Sequence, residues 1–220
     1  MSTPPPLPHK SGHITTVHRD IVESVYRFRA EMLRLESELP DQIRFEARFA
    51  SPDTMRIVET KQLSQMHSRV IQVFALLAVE AALNEYGYLR FGQPIFDKKF
   101  EGQSIGKKLT GMLRQVLGSF EESHEIVAVV KALAARRNRL VHPKPEMEMW
   151  SGDGIRTATT TRLPRVDRDS AITAVQEMER FFDLMGAIDS EAAFRLGFGW
   201  PRLAESLHAT KGSKSGDDIG

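Results

Sequence analysis

The chain is 220 residues long, 41% hydrophobic and 27% charged, which suits a soluble globular protein with one sizeable core and excludes a chain that stays unfolded throughout. Its 30 Lys and Arg stand against 29 Asp and Glu, and the net charge of +1 excludes the global field of a histone-like protein, so a nucleic-acid contact requires a local basic patch. With no cysteine, disulfides, thiol nucleophiles and thiolate metal sites are excluded, and the cytoplasm is the expected location.

Four prolines in the first eight residues deny the backbone helix and sheet pairing, so residues 1–16 are expected to form a disordered tail. From Val17 to Leu39 apolar residues recur at three and four spacing (Ile21, Val25, Phe28, Met32, Leu35), which predicts an amphipathic N-terminal helix stopped by Pro40. "DQIRFEARFASP" reads as a short second helix. Asp53 or Thr54 caps a long helix to about Tyr88, the expected centre of the core, and Gly87, Gly92 and Pro94 break its pattern. Its most apolar run, Val73 to Leu83, is too short for a bilayer and carries Glu80, so no membrane contact is expected.

A polar loop is expected next, then a helix from Ser104 or Ile105 to Leu117. "GQSIGKK" fails as a phosphate loop, because only three residues separate its glycines and Lys108 stands where a hydroxyl is needed. A helix from about Glu121 to Val141 follows, acidic at its start and cationic at its end, as the helix dipole favours. Residues 143–166 form an irregular insertion, a loop or small hairpin, before a last core helix from Asp167 or Asp169 to Met185. A short helix and turn close the domain at about residue 209, and residues 210–220 read as a second disordered tail. The expected architecture is thus all-α: one domain over 17–209, a bundle of about four core helices with an extra N-terminal helix.

Chemistry concentrates at one place. The seven histidines are dispersed, with no metal-binding pair at helical spacing, and no Gly-x-Ser-x-Gly nucleophile motif occurs. In "ARRNRLVHPKP", however, Arg137 precedes His142 by five residues, the one such pair in the chain, and one of its two asparagines, Asn138, follows the Arg. Cations here are also what a helix C-terminus favours, and His142 before Pro143 is unremarkable as a solvated residue. Five residues advance about 140° around a helix, so Arg137 and His142 do not share a narrow face, whereas Asn138 and His142 lie about 40° apart. A second copy related by a two-fold axis would complete the cleft, so a homodimer is expected.

"ARRNRLVHPKPE", with "LLAVEAALNEYG" on the earlier helix, resembles the HEPN superfamily over about residues 55–187. Members of that superfamily are helical bundles with an Arg, commonly followed by a polar residue, and a His separated from that Arg by four to six residues. The resemblance implies a metal-independent endoribonuclease of defence, toxin-antitoxin or RNA-processing systems, needing no cofactor, with its cleft at a homodimer interface and with RNA, and an antitoxin or defence-system protein, as partners. It assigns Arg137 and His142 as catalytic and Asn138 as their polar neighbour. It equally admits the catalytically silent HEPN-like domains that bind RNA or nucleotides or serve in dimerisation. Where some HEPN toxins carry a modifiable Tyr two residues after the His, this chain has Lys144, so the likeness does not extend to that mode of control.

The residue types suit the chemistry. Attack by the RNA 2′-hydroxyl needs a proton acceptor and donor that titrates near neutrality, the property of His, and a fixed cation on the phosphorane oxygens, the property of Arg. Arg136, Arg139 and Lys144 are expected to add phosphate contacts. Glu80 and Asn84, one turn apart on the long helix, are expected to line the cleft as polar support, the alternative being a buried hydrogen-bonded contact.

Overall fold

The computed structural model describes residues 4–7, 17–39, 52–141 and 168–199, and among them the chain forms seven helices and no strand. These are α1 (Val17–Ser37), α2 (Pro52–Phe91), α3 (Gln93–Lys99), α4 (Ile105–Leu117), α5 (Glu125–Val141), α6 (Arg168–Ile188) and α7 (Ser190–Leu196). The fold is all-α, with five long helices and two short ones. The short helix expected in "DQIRFEARFASP" falls almost wholly outside the described residues, and the 143–166 insertion lies entirely outside them.

The bundle is organised around α2, whose 40 residues extend about 60 Å and which packs against all six other helices. Ile71, Ala75, Ala78, Val79, Ala82, Leu83 and Tyr86 are fully enclosed, and the small alanines let neighbouring helices approach closely. By length and composition Met55–Phe91 could cross a membrane, yet half of its most apolar stretch is buried in the bundle. A helix apolar on nearly every side needs cover, and here α1, α5 and α6 supply it.

The periodic residues of α1, among them Val22, Val25, Met32 and Leu35, are buried, and the helix packs mainly on α2. A polar anchor fixes its start: His18 Nδ1 lies 2.5 Å from Glu85 Oε2, and the His18 backbone N–H donates to Glu85 Oε1 at 3.1 Å. The ring of His18 sits against Phe182 and Phe198. Residues 4–7 fall within the segment expected to be a tail, yet Leu7 is buried and its N–H donates to Glu191 Oε2 at 3.1 Å. A proline-rich segment has few backbone donors to lose, so it can lie on a helical surface by carbonyl and side-chain contacts.

Three further expectations are corrected. Gly87 does not break α2, which runs on to Phe91; a Cβ at Gly87 would stand 2.2 Å from the Phe96 ring, so glycine is there to admit that ring. Part of the expected polar loop is α3, whose Pro94 sits in the first turn, where a missing N–H costs nothing, after Gly92 at φ 73°. Phe96 holds α3 down by burial, worth about 2 kcal/mol. The start of α5 also lies one turn later than expected, because residues 122–124 turn before Glu125 and the Ile126 N–H donates to His124 Nδ1 at 3.3 Å.

Candidate functional site

In α5 the buried face is Ile126, Val127, Val130 and Leu133. Continued by one turn, that face reaches Arg136 and Arg137, which are half-buried, while Asn138 and Arg139 are exposed. The two adjacent arginines differ in their partners. Arg136 reaches across to α6 and donates twice to Glu177, Nε to Oε2 at 3.0 Å and Nη2 to Oε1 at 3.1 Å. Arg137 donates from Nη1 to Asn138 Oδ1 at 3.2 Å, and among the described residues no carboxylate pairs with it.

Arg136 is therefore a tie between α5 and α6, with its charge already answered. Arg137 is a cation steadied by an amide and otherwise available for an anion. His142 and Lys144, expected to complete the site, lie outside the described residues.

Asn138 does more than steady its neighbour. It lines a cleft of about 710 Å³ between α4 and α5, together with Gly106, Lys107, Arg114 and Lys131. On α5 the lining residues Val127, Lys131, Ala134, Ala135 and Asn138 follow one another at helical spacing, so a single face of the helix forms one wall. Arg137 is not in that wall, in keeping with its position 100° from Asn138 around the helix. On the opposite wall Arg114 is engaged: it donates to Glu122 at 3.1 Å and to the Phe120 carbonyl at 3.2 Å. Lys107 and Lys131 are exposed and have no such partner among the described residues. These two cations were not singled out from the sequence, although Lys131 and Asn138, seven residues apart, mark a shared face.

Glu80 and Asn84 do not line the cleft between α4 and α5. Asn84 Oδ1 accepts from Lys108 Nζ at 2.7 Å, and that ammonium lies 5.4 Å from the centre of the Phe96 ring. The half-buried Asn84 thus answers the charge of an enclosed lysine. Glu80 is half-buried on α2. The adjacent lysines of α4 therefore diverge, with Lys107 on the cleft and Lys108 turned into the core.

A second polar cluster joins α2 to α7. Asp189 accepts from Arg90 at both oxygens, from the Tyr86 hydroxyl at 3.0 Å and from the Ala192 N–H at 3.1 Å, where it caps α7. Arg90 also donates to the Pro5 carbonyl. Burial, and then the Asp189 charge, push the Tyr86 hydroxyl well above its ordinary value and hold it neutral. Every group there is answered, which marks structure.

No protein-family model, curated protein or solved structure matches this chain.

Proposed function

We propose that this chain is a metal-independent endoribonuclease of HEPN type, with Arg137 and His142 as its catalytic pair and Asn138 positioning Arg137. The observation that supports the reading is the state of Arg137: a half-buried residue whose guanidinium donates to Asn138 Oδ1 at 3.2 Å, without a carboxylate partner among the described residues, and whose neighbour Asn138 lines a cleft with cations on both walls. In the reaction the RNA 2′-oxygen attacks the adjacent phosphorus, the 5′-oxygen leaves and takes up a proton, and the products are a 2′,3′-cyclic phosphate and a 5′-hydroxyl. His142 exchanges the proton and Arg137 neutralises the charge gathering on the equatorial oxygens. Exposed Arg139 and, by sequence, Lys144 add phosphate contacts, whereas Arg136 is committed to Glu177.

Five positions place Arg137 and His142 about 140° apart around a helix, so a homodimer with the two α5 ends side by side is the arrangement proposed to close the site. Mixing an Arg137→Ala chain with a His142→Ala chain is expected to restore part of the activity that each lacks alone. The deciding experiment is incubation of single-stranded RNA with the purified protein in EDTA, followed by analysis of the cut ends. Cyclic phosphate termini support the nuclease; RNA bound but left intact by fully folded protein assigns the chain to the silent, RNA-binding class instead.

A further inference from the structure

We propose that the cleft between α4 and α5 is a track for the sugar–phosphate backbone of single-stranded RNA, gripped by Lys107 and Lys131 and led past Asn138 to Arg137. The inference rests on the nuclease reading for the direction of the strand, and on the cleft itself for the ligand. The α5 wall from Val127 to Asn138 is about 16 Å long, too extended for one compact anion and suited to a repeating one. Within it Arg114 is already neutralised by Glu122, which leaves Lys107 and Lys131 as cations without a counter-charge among the described residues. A chain of net charge +1 has no general excess of cations, so two unanswered lysines on facing walls are a local feature.

The rest of the lining narrows the ligand class. Gly106 on one wall and Ala134 and Ala135 on the other leave room for a backbone to lie close. No aromatic side chain lines the cleft among the described residues, so it offers no platform on which bases could stack. Contacts confined to phosphate and sugar carry no sequence information. Binding in this cleft is therefore steeply salt-dependent and nearly indifferent to base sequence.

The test is fluorescence anisotropy with the full-length protein and a labelled 2′-O-methyl oligonucleotide of about 12 nucleotides, whose capped 2′-oxygen prevents cleavage. The Lys107→Ala/Lys131→Ala variant is expected to bind about tenfold more weakly at low salt, by the same factor for oligonucleotides of different sequence, and to flatten the plot of log affinity against log salt by about 1.4. Gly106→Trp places a bulky side chain on the cleft lining, where a Cβ meets nothing within 4 Å, and is expected to weaken binding without loss of thermal stability. Lys98→Ala, which alters an exposed cation outside the lining, leaves binding unchanged. The proposal is overturned if the double-lysine and Gly106→Trp variants bind like the wild type, or if polyglutamate displaces the oligonucleotide and itself binds more tightly. Lysine-dependent binding by a protein that never cuts unmodified RNA upholds the track and removes the nuclease. Efficient cutting that ignores both lysines does the reverse.

Discussion

Arg90 and Arg137 differ sharply in how their charge is met. Arg90 is enclosed, shares both carboxylate oxygens of Asp189, and joins Tyr86, Pro5 and the start of α7 in one closed network. Arg137 has one amide for company, and that amide belongs to Asn138, which lines a cleft whose two lysines are likewise unanswered. The difference shows how to tell a structural charge from an available one. Leaving a buried ion without its partner costs several kcal/mol, so such a charge is matched, whereas a charge left unmatched at a surface is free to meet a ligand.

Removing one partner of the closed network sets the upper end of that contrast. Asp189→Ala strands Arg90 and uncaps α7, and is expected to cost about 3–5 kcal/mol in denaturant unfolding. A cost below about 1 kcal/mol would place Arg90 in the same class as Arg137. Tyr86→Phe deletes one donor to Asp189 and should cost about 1 kcal/mol at neutral pH. It carries a pH signature as well. Because Tyr86 is held neutral in the fold, its contribution is complete below about pH 10, where an unfolded tyrosine ionises, and is lost as pH rises above that. The wild type should therefore lose stability at alkaline pH more steeply than Tyr86→Phe; parallel curves would show that the hydroxyl is not held.

Arg136 is intermediate, a two-point tie to Glu177 with both side chains about one-fifth exposed. Its replacement by Ala should cost about 1 kcal/mol and leave the cleft intact. Arg137→Ala comes last, with a change within about 0.5 kcal/mol, since no carboxylate among the described residues depends on it.

The sequence revealed helices wherever a periodic apolar face was long. The stripes of α1, α4 and α6 lie within a turn of their expected limits, and α2, the expected centre of the core, packs against all six other helices. It did not reveal α3, because seven residues with one buried phenylalanine give no period to read, and because Gly87 serves a ring nine positions away in the chain rather than a turn. At the site, Arg137 and Asn138 were legible from residue type and spacing. The commitment of Arg136 to Glu177 and of Asn84 to Lys108 was not, since those partners lie 41 and 24 residues away. The Asp189 cluster was missed for the same reason, its ties spanning 99 and 103 residues. Helical period says which side of a helix is apolar; it does not say which polar groups on other helices will meet it.

Whether Arg137 is a cation kept for catalysis is decided by the rate of RNA cleavage in EDTA, measured beside the melting temperature. Arg137→Ala, alone or combined with His142→Ala, is expected to lower the rate about 10²-fold or more with a melting temperature close to that of the wild type. Wild-type cleavage that persists undiminished in the double variant would contradict it.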